Sequence, residues 1–442
     1  MKAASHPLKV AIIGGGYTGL AAARRLAKSG RCEVTLLERG SSVGGLAGDF
    51  TIQGEPIEKA YHHLFRTDRE ILALVEEMGL TAKLEWRESS VGVLHGGQTY
   101  PFLTPQDLLR FKPCSFWNRL RLGLVALYLQ RTRDWRPLAR QSASQWMRRA
   151  CGPQAMAAVW EPLLRGKFHR YADRVSMAWL WARIYNRSHS RDGSGREKLG
   201  YFRGGLGVVA NQLASEAQAA GAAIRLNTPV AALQKGATGP RLLVQGEWTE
   251  FDRVIFTGPS GALAELLADA PGTEAYRRQL QSIAYLGAVS LVFATEQKLG
   301  DYYWLNVTEA GAPFVVFIRH TRMVDAARYG GKEIYYIGAY QPHDGAAFCQ
   351  SEEALTQTWF DYLQKIFPKF DRTKIVEKRL FKLRHAQHVV DTAYESRIPE
   401  AHTPVPGLFL SNFSQVYPED RGTNFAVREG HKIADLILQG CG

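Results

Sequence analysis

Residues 10–38 constrain the fold more than any other part of this chain. Val10-Ala11-Ile12-Ile13 is a short apolar run of the kind that forms a buried parallel strand. It runs straight into Gly14-Gly15-Gly16-Tyr17-Thr18-Gly19, and residues 20–27 follow as an alanine-rich helix pattern. Residues 33–37 make a second apolar strand, closed by Glu38. Strand, glycine turn, helix, strand and terminal acid in this order form a complete βαβ dinucleotide-binding unit. Gly14 permits the tight turn, Gly16 lets the backbone approach a pyrophosphate, and Gly19 lets helix and strand close up. The helix N-terminus presents oriented N–H groups to the phosphate charge. Glu38, nineteen residues beyond Gly19, is placed to accept hydrogen bonds from a ribose.

After Glu38 the chain reads Arg39-Gly40-Ser41-Ser42-Val43-Gly44-Gly45-Leu46. A nicotinamide dinucleotide needs nothing special at this point. A glycine pair here indicates backbone packed beside a second part of a longer cofactor. The sequence resembles the flavoprotein superfamily of amine oxidases, phytoene-type desaturases, protoporphyrinogen oxidase and UDP-galactopyranose mutase. In that group an acid, a basic residue and a Gly-Gly pair follow the βαβ unit at this spacing. The resemblance implies FAD as the cofactor, held by Gly14, Gly16, Tyr17, Thr18, Gly19, Glu38, Arg39, Gly44, Gly45 and Leu46. It implies an α/β fold with a Rossmann-like FAD-binding domain built from residues 1–75, 200–260 and 395–442. An α+β substrate domain would be inserted in two pieces, 76–199 as its helical part and 261–394 as a mixed sheet.

The same resemblance extends downstream. Residues 223–233 are similar to the strand on the adenine side of the cofactor, where the backbone at Val230 meets the base. Residues 253–259 are an apolar strand ending in Thr257-Gly258-Pro259, similar to the turn that meets the pyrophosphate. At the C-terminus a strand over 407–412 and a helix over 422–434 are similar to the superfamily's closing elements. There the helix N-terminus faces the flavin pyrimidine and stabilises negative charge as the ring is reduced. Ser411-Asn412 stands where those proteins carry Gly-Asp, so Asn412 would reach the ribityl chain without adding charge. Asn424, Phe425 and Ala426 would lie under the ring.

The 442 residues suffice for two large domains, and no apolar run is long enough to span a bilayer. The first strand starts almost at once, so no signal peptide is expected. Five scattered cysteines without CxxC spacing argue for a reducing compartment, hence a cytoplasmic protein, and against a disulfide frame or a metal site. A formal charge of +13 fits an anionic membrane or an anionic substrate, and no nucleic-acid motif accompanies it. Ten arginines and lysines between Arg110 and Arg149 are interleaved with Phe111, Phe116, Trp117, Leu120, Leu122, Leu124, Leu127, Tyr128 and Trp135. Residues 107–149 therefore either lie on the inner face of an anionic membrane or cover a substrate cavity with helices whose arginines are solvated.

Residues 49–57 read as a hairpin, and Asp68 as the cap of a helix over 69–78 that Gly79 ends. Helices are expected at 175–186, 208–220 and 354–366, and strands at 289–294, 314–319 and 334–339. The polar stretch 188–196 reads as a mobile loop. Tyr61-x-His63-x-Phe65-x-Thr67 is similar to the segment that UDP-galactopyranose mutases place beside the flavin, with Tyr61 where those enzymes carry glycine. His63, Asn424 and Arg421 are the candidate catalytic residues. Tyr302, Tyr303, Trp304, His320, Arg384, His385, Gln387 and His388 are candidate cavity groups, suited to planar or apolar substrates.

No acid–base dyad or metal cluster stands out, which fits chemistry carried by a cofactor. The resemblance implies an FAD-dependent oxidoreductase that takes a hydride from a C–H bond of a hydrophobic or amine substrate onto flavin N5. The alternative is an isomerase similar to UDP-galactopyranose mutase that uses reduced FAD. The partner expected is a small molecule, and the sequence leaves the oligomeric state open.

Overall fold

The computed structural model describes residues 6–191 and 196–440. Residues 192–195 of the expected mobile loop, and Cys441, lie outside the described residues. A five-stranded parallel sheet runs in the order Leu408–Leu410, Arg253–Phe256, Leu8–Ile13, Cys32–Leu37, Ala223–Arg225. Ile12 sits at its centre, opposite Ile255 on one side and Leu36 on the other. Such strands are apolar throughout because both faces are covered. Helix Tyr17–Lys28 packs against Gly207–Ala219 and Thr423–Gln439. Its run Leu20 to Ala23 is fully buried, the small alanines letting the neighbouring helices come close. Gly430 completes that contact, since a Cβ there would lie 2.5 Å from the Thr18 carbonyl oxygen. Arg24, buried beneath, is held by Glu216 and Glu77 at 2.8 and 2.7 Å.

Residues 223–233, expected as one strand, are two. Ala223–Arg225 ends the parallel sheet, while Val230–Lys235 starts an antiparallel sheet with Pro240–Val244 and Glu247–Glu250. Asn227, with φ at 51°, turns the chain between them. The Thr228 N–H then donates to the Glu38 carbonyl at 2.8 Å, bringing Val230 beside the end of the second strand.

A second, seven-stranded sheet runs Ile375–His388, Tyr285–Thr295, Glu333–Gln341, Val316–Arg319, Trp304–Val307, Val91–His95, Gln98–Pro101. All pairs are antiparallel except Trp304–Val307 with Val91–His95. The stretch expected to supply only helices thus contributes two strands here and a third, Leu84–Glu88, that pairs with Lys198–Phe202. Helices Phe116–Arg131, Ala143–Cys151, Glu161–Phe168 and Met177–His189 form a layer around Met147, Phe168, Trp179 and Trp181. Helix Glu352–Ile366 packs elsewhere on the sheet, with Trp359 fully buried. The expected hairpin is present as Asp49–Ile52 with Glu55–Glu58. The helix after it spans Arg69–Glu77 and ends near Gly79, whose φ is 68°. Asp68 does not cap it; its carboxylate turns back to accept the Phe65 N–H at 2.8 Å.

Candidate active site

The glycine turn is built to hold backbone close to backbone. Gly14 has φ at 113°, and a Cβ there would lie 2.5 Å from Thr257 Oγ1. Thr257 Oγ1 donates to the Ile13 and Gly14 carbonyls at 3.0 and 3.2 Å, which ties the 253–259 strand to the turn. Gly16 lies against Gly44 and Gly45, the Gly44 N–H donating to the Gly15 carbonyl at 2.8 Å. Glu38, Val230, Thr257, Gly258 and the glycine pair therefore meet around one turn. Helix Tyr17–Lys28 starts at Gly16 and helix Thr423–Gln439 at Gly422, and neither start has a side-chain cap. Two sets of N–H donors are left to an incoming group, which is what a dinucleotide pyrophosphate and a flavin pyrimidine require.

Several residues in this region hold the fold itself. The Tyr17 hydroxyl donates to the Leu206 carbonyl at 2.7 Å. The Glu38 carboxylate accepts from Gly15 and Gly40 N–H at 2.6 and 2.7 Å, folded over the glycine turn, and Arg39 is exposed. Asn412 is buried; its amide donates to the Gly258 carbonyl at 2.7 Å and its oxygen accepts the Ser414 N–H at 2.9 Å. Asn424 Oδ1 accepts the Glu70 and Ile71 N–H groups at 2.9 and 3.2 Å, so this asparagine caps the helix that Asp68 does not. Phe425 lies under the Arg428 guanidinium at 4.9 Å, and Ala426 is half-buried on the first turn of its helix.

A cavity opens beside Leu46, lined by Ala60, Tyr61 and His62 on one side and by Ser290, Gly338, Tyr340, Ala386 and Arg421 on the other. His62 faces it; His63 is set back, its Nδ1 3.0 Å from the Tyr303 hydroxyl and its ring against Phe65 and Trp304. Burial, with Arg187 nearby, pushes His63 down to about 3, and burial pushes His62 down to about 4, so both rings are neutral at pH 7. Tyr61 meets Trp304 edge-on at 4.7 Å. Of the candidate cavity groups, Tyr303 and Trp304 stand behind the lining, against His63 and Tyr61. His320 is buried against Tyr329 and Tyr201, Gln387 and His388 are fully buried, and His385 lies against His343.

Of the charged part of this site, sequence reasoning names Arg421 but not Lys167 or Arg183. Arg421 donates to the Ala386 carbonyl and, at 3.0 Å, to the Tyr340 hydroxyl. Its neighbour Asp420 receives Lys167 at 3.1 Å, Arg183 and the Trp179 indole N–H at 3.2 Å. Lys167 Nζ also sits 4.8 Å over Trp179 and 5.1 Å over Tyr340. Burial and Arg183 lower the Lys167 ammonium to about 8, so it is charged at pH 7. Burial raises the Tyr340 hydroxyl, but Arg421 and Lys167 outweigh it and bring it below the ordinary tyrosine range. The same cations hold the Asp420 carboxyl well below the usual range against the effect of burial. Lys167 shares the last turn of its helix with Arg165, so the sequence there gives no local sign of a buried ammonium.

The sequence profile of flavin-containing amine oxidoreductases matches residues 17–438. The chain belongs to this family. The amine oxidoreductase fold is shared at full length with solved structures. Putrescine oxidase bound to putrescine superposes with a TM-score of 0.74 at 18% identity, covering 98% of this chain and 99% of that one. Reduced UDP-galactopyranose mutase gives 0.75 at 14% identity, covering 98% and 94%. By sequence, the chain is 20% identical to the 15-cis-phytoene desaturase of Arabidopsis thaliana over 92% of its own length and 76% of the desaturase. This amine oxidoreductase is an FAD-dependent enzyme. Among its described residues no helix is long and apolar enough to cross a membrane.

Proposed function

We propose that this enzyme removes a hydride from a C–H bond of an apolar substrate seated in the cavity between Leu46, Tyr61 and His62 on one side and Tyr340 and Arg421 on the other. The observation that carries this reading is the cavity's lining and what stands next to it: Tyr61, Tyr340 and Arg421 line the cavity, and beside Tyr340 the carboxylate of Asp420 is already shared by Lys167 and Arg183. An alkylammonium entering there would meet like charge, so the apolar substrate is favoured over the amine. FAD, when bound, accepts the hydride at flavin N5. The chain's part is to orient the substrate, exclude water and keep His62 neutral on the cavity wall.

Gly14, Gly16, Tyr17, Thr18, Gly19, Thr257 and Gly258 would hold the pyrophosphate through backbone, and Glu38 would leave the glycine turn to take the ribose. Arg39 and Val230 would flank the adenosine half. Gly44, Gly45 and Leu46 would face the flavin, with the first turn of Thr423–Gln439 at the pyrimidine. Residues 1–75, 200–260 and 395–442 would then form the cofactor domain. Anaerobic addition of candidate substrates while the oxidised-flavin band is followed tests the reading. Bleaching by an isoprenoid or porphyrinogen and not by alkylamines is expected, and bleaching by amines alone would overturn it.

The mutase reading keeps one observation, Arg421 in the cavity with Lys167 and Arg183 close by on Asp420, which would also suit a nucleotide-sugar diphosphate. Turnover of UDP-galactopyranose only after dithionite reduction would favour it. We also propose that the helical layer docks on an anionic membrane. Of the nine large apolar side chains that stand exposed among the described residues, Leu109, Phe116, Trp117, Leu124, Leu127 and Tyr128 lie on this one segment. Arg110, Lys112, Arg131, Arg133 and Arg140 surround them, exposed and without a carboxylate partner. An apolar patch rimmed by unpaired cations matches an anionic lipid surface.

A further inference from the structure

We infer that Lys167, Arg183 and Arg421 form a subsite for an oxyanion, so that the substrate carries a carboxylate or phosphate group on its apolar body. The inference rests on the reading of the cavity as the substrate site. Three cations converge on this corner from three separate elements: helix Glu161–Phe168, helix Met177–His189 and the turn before helix Thr423–Gln439. One carboxylate, Asp420, answers them, held by both Lys167 and Arg183. Lys167 and Asp420 are each only 13% exposed. The other titratable groups facing the corner do not balance the charge. His62 and His388 are neutral there, and Tyr61 is a neutral phenol.

Cations in excess of their carboxylate, with Lys167 largely out of water and Arg183 at the half-exposed rim, favour an anion that arrives to share them. A second observation points the same way. Ser290 lines the same cavity, is 2% exposed, and its hydroxyl has no hydrogen-bond partner. Buried hydroxyls are ordinarily bonded, so this one is free to donate to a ligand oxygen. The planar Arg421 fork, fixed by the Ala386 carbonyl and Tyr340, orients such a group, and the Lys167 ammonium supplies a point charge. Apolar body and anionic head together describe an amphiphile, which agrees with the exposed apolar patch on the same helical layer.

The test uses full-length, FAD-loaded protein and titration calorimetry with inorganic phosphate, pyrophosphate and succinate at low salt. Saturable binding of a phosphate or of the dicarboxylate is expected, weakened at least tenfold in Lys167→Met, kept in Lys167→Arg, and weakened in Ser290→Ala. Binding of phosphates alone identifies a phosphate head, and binding of succinate alone a carboxylate. Arg183→Met, at the half-exposed rim, gives the same readout should Lys167→Met fold poorly. No saturable binding, or equal affinity in the parent, Lys167→Met and Arg183→Met, would overturn the inference. Because binding is read without flavin reduction, an anion that binds beside a flavin that no apolar substrate bleaches would sink the reaction proposed above and leave this subsite standing.

Discussion

Glu58 is a carboxyl group closed off from water, at 0% exposure. It accepts the Leu206 N–H at 2.5 Å and the Tyr201 hydroxyl at 2.7 Å, and its backbone carbonyl receives Tyr336. Burial outweighs these donors and pushes it up to about 7 from an ordinary 4.5. A carboxyl raised in the folded state favours folding fully below its unfolded value and loses that contribution as pH rises through the folded value. Between pH 4.5 and 7 and above, the protein should therefore lose about 3 kcal/mol of stability to this one group. Glu58→Gln should flatten that slope, leave stability near pH 5 little changed and raise it at pH 8. Denaturant unfolding of both proteins across this range checks it, and parallel pH profiles would refute it. Asn424 makes a second case: Asn424→Ala should cost about 1 kcal/mol, because two N–H groups of helix Arg69–Glu77 lose their acceptor. A loss of flavin affinity with no change in stability would instead assign its side chain to the cofactor. Neither role was legible in the sequence. The sequence singles out Asn424 for the flavin and not for a helix cap, and does not single out Glu58, because the partners that define them lie more than a hundred residues away.

At the scale of elements, the βαβ unit was legible because every part of its work is local: turn, helix start and strand are contiguous. The edge strand Ile375–His388 was not. Among the described residues it pairs only with Tyr285–Thr295, and it carries Lys378, Arg379, Lys382 and Arg384, so its charges mask the strand pattern while protecting the edge from a further strand. Trp304–Val307 and Val91–His95 pair in parallel although they are far apart in the chain, a contact that short-range patterns do not carry. The helix Phe116–Arg131 is the opposite case, since its composition announced its surface. It buries Leu122 and Leu129 inward, yet presents Trp117 at 76% and Leu124 at 68% exposure. Replacing both by glutamate should leave the melting temperature nearly unchanged and reduce binding to phosphatidylglycerol vesicles at least tenfold. Absence of vesicle binding by the parent, with concentration-dependent self-association instead, would make this patch a face for a second copy.

Across the whole molecule, the parallel sheet takes its strands from 8–37, 223–256 and 408–410, and the charged corner of the cavity joins Lys167 to Asp420. Contacts of such sequence separation are entropically costly to close and depend on each other once formed. FAD binding at the glycine turn would touch the first strand, the Val230 turn and the last helix at once, so the cofactor acts as a clamp on three remote segments. Anything that binds the folded state alone stabilises it by mass action, about 2.7 kcal/mol at a hundred times the dissociation constant. The cofactor-free protein should therefore melt lower than the loaded one, and its melting temperature should climb with the logarithm of added FAD. Gly14→Ala, which forces a Cβ against Thr257 Oγ1 at 2.5 Å and strains the turn, should lower the cofactor-free protein's stability and also flatten the dependence on FAD. A full response to FAD in Gly14→Ala would show that the cofactor is gripped elsewhere than the glycine turn.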